Sequence, residues 1–174
     1  MKYLVKFFVV TLFLIFCTAV TAEQNIVVLD LQYVLNNSKA GKGAQDFLKK
    51  SFKDSTQKYS DMEEALKKEE QDLLTKKTVL SKEEYVKKSD ALRKKVIDYQ
   101  SQRRSALDKI ATQRAQARET LIKKIDPILK TYIEENNISL VIDKKLTLAG
   151  RPGNDITAVI VEKLNKTFPS LNLK

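Results

Sequence analysis

The sequence has no histidine and no tryptophan, and its one cysteine, Cys17, lies within the first 22 residues. A chain without further cysteines cannot be cross-linked by disulfides, and the missing histidine removes the most usual general base and the commonest metal ligand. Glycine and proline are scarce, and neither a GxxxxGK[ST] phosphate loop nor a nucleophile elbow occurs. The sequence therefore predicts a protein that is not an enzyme, with no catalytic residues, no metal site and no cofactor.

The first 22 residues have the pattern of a secretory signal peptide. Lys2 and Lys6 precede an apolar run from Phe7 to Phe16, and small residues for cleavage follow at Val20 to Ala22. An uncleaved membrane anchor is the weaker alternative, because the apolar run has 10 residues, whereas a spanning helix needs roughly 20. We expect cleavage after Ala22 and an exported protein.

Short strands are predicted at both ends of the remaining chain. The β-branched run Asn25 to Leu31 has strand length and composition, and a short helix, Gln32 to Asn37, and a break at Ser38 to Gly43 follow it. Near the other end, Ile138 to Asp143 and Leu146 to Ala149 are predicted strands joined by a tight link.

Two long helices are predicted between these strands, each with apolar residues in steps of four and three. The first ladder is Leu48, Phe52, Ser55, Tyr59, Met62, Leu66, Glu69, Leu73, Lys76 and Leu80. The second is Tyr85, Ser89, Leu92, Val96, Tyr99, Arg103, Ala106, Ile110, Gln113 and Ala117, continued by Leu121, Ile125, Ile128 and Tyr132. Ser81 and Glu84 form a capping-box pattern, so the second helix should begin at Lys82 after a turn that Val79 and Leu80 close against Tyr85. Pro127 predicts a kink or a restarted helix.

A last amphipathic helix should begin at a cap formed by Asp155. Its predicted apolar face consists of Ile156, Val159, Ile160, Leu164 and Phe168. Because strands flank the two long helices, the chain ends should meet in a small α/β body formed by residues 23–43 and 137–174. Residues 44–136 should project from it as a helical hairpin with its tip near 75–81. So small a core and so narrow a helical seam both predict association with further copies of the chain.

The sequence resembles the Skp/OmpH family of bacterial periplasmic chaperones at both ends of the mature chain. The residues that carry the resemblance are IVVLDLQYVL from Ile26, SLVIDKK from Ser139 and NDITAVIVEKLN from Asn154. The resemblance implies an α+β fold in which a small β-rich body trimerises and a long antiparallel coiled-coil hairpin protrudes from it. It also implies a periplasmic holdase that binds unfolded outer-membrane proteins without ATP and keeps them soluble for delivery to the outer membrane.

The residues expected to form the oligomerisation body are Ile26, Val28, Leu140, Ile142, Ile156 and Val159. Some members of the family have a lipopolysaccharide site, of which this sequence shows no clear counterpart. An anionic membrane surface or lipopolysaccharide is nevertheless a further candidate partner.

A surplus of positive charge lies around the predicted tip. Residues 75–104 contain ten basic and four acidic side chains, and the chain from residue 23 has a net charge of +8. The candidates for contact with clients or membranes are Lys76, Lys77, Lys82, Lys87, Lys88, Arg93, Lys94 and Lys95. Such a surface would attract anionic partners over about one Debye length, roughly 8 Å in physiological salt.

Two other functions fit parts of this pattern. A structural coiled-coil tether or envelope-binding protein would need the same helices but no client. A nucleic-acid binder would explain the basic charge, but the signal peptide and the lack of aromatic residues among the lysines argue against nucleic acid as a partner. Polar residues in the two ladders would either loosen the helical seam around clients or fix its register.

Overall fold

The structure is a computed structural model that describes residues 24–173. The predicted signal peptide lies outside the described residues. The elements in chain order are strand β1 (Asn25–Leu29), helix α1 (Leu31–Asn37), helix α2 (Lys39–Thr75), helix α3 (Lys82–Glu135), strand β2 (Ile138–Asp143) and helix α4 (Thr157–Thr167). Short 3-10 turns at Lys144–Leu146 and Pro152–Asn154 lie between β2 and α4. The predicted combination of long helices with a small sheet is confirmed.

Strands β1 and β2 pair in parallel and bring the two ends of the described chain together. Ile26 lies opposite Leu140, and Val28 lies opposite Ile142. A further bridge joins Val28 to Asp155 on the segment that leads into α4. The ends therefore meet, as the strand positions predicted.

The predicted third strand, Leu146 to Ala149, is wrong, and the described residues hold a sheet of only two strands. The Asp143 side chain accepts a hydrogen bond from the Lys145 backbone at 2.9 Å, which starts a 3-10 turn where a strand link was expected. Leu148 is then fully exposed, at 107%. Alternating leucines alone do not make a strand without a neighbouring edge to supply hydrogen bonds.

The predicted break at Ser38 to Gly43 is also wrong, because α2 begins directly after α1. Ser38 alone separates the two helices, and its hydroxyl accepts a hydrogen bond from the Gly41 backbone at 3.2 Å. A Cβ on Gly41 would lie 1.8 Å from the Leu35 carbonyl oxygen. The glycine is therefore required for the close approach of α1 to α2 rather than for a break in the helix.

Helix α3 runs for 54 residues and continues past Pro127 without restarting. At 1.5 Å per residue this corresponds to roughly 80 Å. It ends at Asn136, and Asn137 follows with a positive φ of 48°. That conformation is one that asparagine adopts more readily than most residues, so the chain can leave the helix here with little strain.

The hydrophobic core lies around the sheet, where α1, α3 and α4 meet it. Ile160 and Leu164 of α4 are completely buried, as is Val34 of α1. Leu121 and Ile125 of α3 join the same cluster. The core therefore depends on residues far apart in the sequence.

A network of polar contacts fastens the start of α4 to the end of β1. The Asp30 backbone N–H donates to the Thr157 hydroxyl at 2.9 Å, and the Thr157 backbone N–H donates to Asp155 at 2.9 Å. Lys144 forms an ion pair with the same Asp155 carboxylate at 2.6 Å. Burial raises the pKa of the Asp155 carboxyl, but the hydrogen bonds from Lys144 and Thr157 outweigh it and hold the pKa at about 2. The predicted cap at Asp155 is therefore one residue too early, because Ile156 precedes the helix that begins at Thr157, although the Asp155 carboxylate still accepts a hydrogen bond from the first residue of α4.

Candidate functional site

Helices α2 and α3 contact each other along most of the length of α2. The Tyr59 hydroxyl donates to the Gln102 carbonyl at 3.0 Å, and the Tyr59 and Tyr99 rings meet edge to face with centroids 6.1 Å apart. Lys95 pairs with Glu69 at 2.6 Å. Residues in the second half of α2 therefore contact residues in the first half of α3.

The two tyrosines lie in a small polar cluster within this seam. The Tyr99 hydroxyl donates to Glu63 at 3.1 Å, and Lys67 forms an ion pair with Glu63 at 2.7 Å. The hydrogen bond from Lys67 lowers the pKa of the Glu63 carboxyl, and the bond from Tyr99 acts in the same direction. Burial raises the pKa of the Tyr99 hydroxyl, and Glu63 adds to that rise. Directional bonds of this kind set how the helices are aligned more sharply than apolar contacts do.

The turn between the long helices has the predicted capping box. The Ser81 hydroxyl accepts from the Glu84 backbone at 3.3 Å, and the Glu84 side chain accepts from the Ser81 backbone at 3.2 Å. Leu80 is half-buried, but Val79 is 84% exposed, so the expectation that Val79 closes the turn against Tyr85 is wrong. Lys77 lies over the Tyr85 ring instead, with its Nζ 5.9 Å from the ring centroid.

All eight basic residues predicted as contact candidates are exposed on or beside this turn. Arg93 pairs with Asp90 at 3.4 Å, and Lys95 with Glu69. The other six residues of the set form no ion pair within residues 24–173. These six are Lys76, Lys77, Lys82, Lys87, Lys88 and Lys94.

The surplus of positive charge is not confined to the turn. We call residues 57–104 the distal half of the helix pair, and residues 39–56 with 105–125 the proximal half. The distal half contains 13 basic and 10 acidic side chains, and Glu69 of α2 forms an ion pair there with Lys95 of α3. The proximal half contains 10 basic and 4 acidic side chains. The proximal half therefore has the same surplus of six positive charges as residues 75–104 around the turn.

A groove in each half is lined by residues of both long helices. The distal groove, of about 730 Å³, has lining residues of both charges, among them Glu63, Glu70, Lys67 and Arg93. The proximal groove, of about 570 Å³, also touches α1 and has no acidic lining residue. Its residues are Gln32, Leu35, Asn36, Gly41, Ala44, Gln45, Leu48, Lys49, Phe52, Arg114, Ala117, Arg118 and Leu121. Sequence reasoning missed this groove, because Lys49 and Arg118 come together only when the helices pair.

The six residues expected in the oligomerisation body differ in how exposed their side chains are. Ile156 is buried at 3%, and Ile26, Val28 and Ile142 are half-buried. Leu140 is 52% exposed and Val159 is 37% exposed. Val159 thus does not share the buried face of α4, although Ile160 and Leu164 do.

The described residues contain no group of three or more acidic, cysteine or histidine side chains placed to hold a metal ion. No helix within residues 24–173 is both long enough and apolar enough to cross a membrane.

Comparison with known proteins places the chain in a family. Residues 25–164 match the family described as outer membrane protein (OmpH-like). The fold is similar to the crystal structure of a candidate OmpH-like outer membrane chaperone from Caulobacter crescentus CB15, with a TM-score of 0.80 and 17% identity over 86% of this chain and 89% of that chain. No curated protein matches the chain. The family match spans most of the sequence, and the chain therefore belongs to the Skp/OmpH family of OmpH-like outer membrane proteins.

Proposed function

We propose that this protein is a periplasmic chaperone that binds unfolded outer-membrane proteins without ATP and keeps them soluble until delivery. Membership of the OmpH-like family supports a chaperone role, and the signal-peptide pattern ending at Ala22 supports export. The observation that carries the proposal is the set of large apolar side chains left exposed along α2 and α3.

These side chains are separated from one another by charged residues rather than gathered in one patch. The exposed fractions are 52% for Phe52, 57% for Leu74, 50% for Val86, 58% for Ile97 and 42% for Leu107. A surface of separated apolar groups offers many weak contacts to an unfolded chain. Because no contact is strong, the client can move and leave without an energy source.

Assembly is the second part of the proposal. Residues 23–43 and 137–174 would form the body, and residues 44–136 an antiparallel coiled-coil hairpin that projects from it. Leu140, Leu146, Leu148 and Val159 are all exposed near the sheet in the single chain. In the proposed assembly another subunit covers these groups, and three copies would enclose a client between their hairpins.

The exposed lysines of the turn would attract acidic clients. Each surface charge contributes about 0–1 kcal/mol to a contact, but together such charges can raise association rates roughly tenfold or more. An anionic membrane surface or lipopolysaccharide would be attracted in the same way.

Light scattering of a urea-denatured outer-membrane barrel protein, diluted into buffer with and without this protein, tests the holdase function. We expect the parent to suppress scattering, and a variant with Leu74→Gln, Val86→Gln and Ile97→Gln to suppress it much less. A matched control with Lys50→Gln and Lys53→Gln should behave like the parent. If the parent leaves scattering unchanged, the chaperone function is wrong and a structural tether is favoured.

Stopped-flow mixing with a labelled acidic client tests the role of the lysines. Reversal of Lys87, Lys88 and Lys94 to glutamate should slow association at low salt, with a much smaller change in the dissociation rate. Lys95 is left unchanged because its reversal would break the ion pair with Glu69. The difference should shrink near 0.5 M salt, where the Debye length is only about 4 Å. Equal association rates at low salt would show that these lysines serve only solubility.

A further inference from the structure

The proximal groove combines an apolar floor with a cationic rim. Leu35, Leu48, Phe52 and Leu121 supply the largest apolar lining residues. Phe52 is 52% exposed although its ladder position predicted burial, so its ring is available at the edge of the groove. A volume of about 570 Å³ lies within the roughly 300–1,000 Å³ of sites that bind small ligands.

The cations of the rim have no acidic partner within residues 24–173. Arg114 and Arg118 are four residues apart on α3 and so share one face of the helix, with Lys49 across the groove on α2. Within the described residues none of the three forms an ion pair, whereas Lys123, on the next turn of α3, pairs with Glu119 at 2.6 Å. Two guanidinium groups in this position can each bind a carboxylate through two parallel hydrogen bonds.

The rim also carries side-chain amides that match a peptide backbone. Gln45 donates its amide nitrogen to Asn36 at 3.1 Å, which leaves the Gln45 oxygen without a donor in the described residues. Gln32 accepts from Lys145, which leaves its amide N–H groups without an acceptor there. Each residue of a peptide carries one donor and one acceptor, and so requires both kinds of partner. The acyl chain of a lipid requires neither.

We propose that the proximal groove binds the free carboxyl terminus of an extended polypeptide whose last residues are apolar. The terminal carboxylate would lie between Arg114 and Arg118, and the apolar side chains would lie on the floor. The inference rests on the proposed holdase function, to which it adds one defined site for the end of a client.

Fluorescence anisotropy tests the site with one labelled peptide of seven residues, ending in Val-Leu, made with either a free carboxylate or a carboxamide. The parent at 150 mM salt should bind the carboxylate form about tenfold more tightly, as expected for paired charge-assisted hydrogen bonds. A variant with Arg114→Gln and Arg118→Gln should lose that preference. A control with Lys50→Gln and Lys53→Gln removes the same charge from α2 at positions outside the groove lining and should keep it. Circular dichroism should show the same helix content for all three proteins, because glutamine is a good helix former at exposed positions.

Four outcomes would overturn the proposal. The first is equal affinity of the parent for the two peptides, and the second is an unchanged preference in the arginine variant. The third is that anionic phospholipid vesicles displace the peptide from the parent but not from the arginine variant. The fourth is a change in assembly mass in the arginine variant. The third would identify the groove as a lipid site, and the fourth as a contact between copies of the chain. Suppression of client scattering by the parent is a separate measurement, so this site can fail while the proposed holdase function stands.

Discussion

Replacing Gly41 or Gly43 with alanine makes the same chemical change two residues apart on α2, and we expect opposite effects on stability. Alanine is preferred to glycine inside a helix by roughly 0.5–1 kcal/mol. At Gly43 an added Cβ meets no atom within 4 Å, so the Gly43→Ala variant should gain this full amount.

At Gly41 the same methyl group meets the backbone of α1. The added Cβ would lie 1.8 Å from the Leu35 carbonyl oxygen and 2.9 Å from its carbonyl carbon. No side-chain rotation relieves a clash with backbone, so α1 must move away from α2 and disturb the buried Val34. Overpacking costs about 1–3 kcal/mol, and a contact this short belongs at the upper end. After the helix gain is subtracted, Gly41→Ala should lose about 2 kcal/mol.

Thermal unfolding followed by circular dichroism at 222 nm measures both changes. All proteins should be compared at one concentration, because assembly makes stability depend on concentration. For a chain of this size about 1 kcal/mol corresponds to roughly 2–4 °C in Tm. The two variants should therefore differ by about 6–12 °C. Equal stability of Gly41→Ala and Gly43→Ala would show that the α1–α2 contact is looser than the structure has it.

Three further predictions concern the polar network, the turn and the last helix. The folded-state pKa of Asp155 is about 2 against 3.8 in the unfolded chain, so about 2 kcal/mol of stability present above pH 4 should be lost as the pH falls toward 2. Asp155→Asn should flatten the pH dependence of unfolding over that interval, and an unchanged slope would contradict the network. Ser81→Ala should cost about 1 kcal/mol locally and speed hydrogen exchange in the first turn of α3, and identical exchange would mean that the cap contributes nothing. Ile156→Asp should unfold the protein, because it buries an unpaired carboxylate, whereas Val159→Asp should keep the circular dichroism spectrum but lower the assembly mass in sedimentation. A folded Ile156→Asp protein or an unchanged Val159→Asp assembly would refute these placements.

Periodicity predicted the buried face of α3 almost completely. Of its ladder positions only Arg103 is exposed, while Leu92, Tyr99 and Ile110 are buried. The ladder of α2 was less accurate, since Phe52 is 52% exposed. A heptad pattern identifies which face of a helix is apolar, but the partner's curvature and local spacing decide whether each position on that face is covered.

The candidate site was predicted less well than the helices. The lysines of the turn are exposed as expected, but their charge is partly balanced by acidic residues of α2, as in the pair of Lys95 with Glu69. The cationic groove near the sheet needed the positions of Lys49, Arg114 and Arg118 together. These residues are up to 69 positions apart in the chain, so no local pattern links them.

By itself the sequence determined the start of α3 at Lys82, the capping box at Ser81 and the positions of the two strands β1 and β2. Each depends on residues within a few positions of one another, whose backbone preferences and hydrogen bonds act locally. Only the tertiary structure decided that the strands pair in parallel, that Leu146 to Ala149 is not a strand, and that Gly41 marks a helix contact rather than a break. It also decided that Lys49, Arg114 and Arg118 line one groove, because the fields of charges add according to their distances in space and not along the chain.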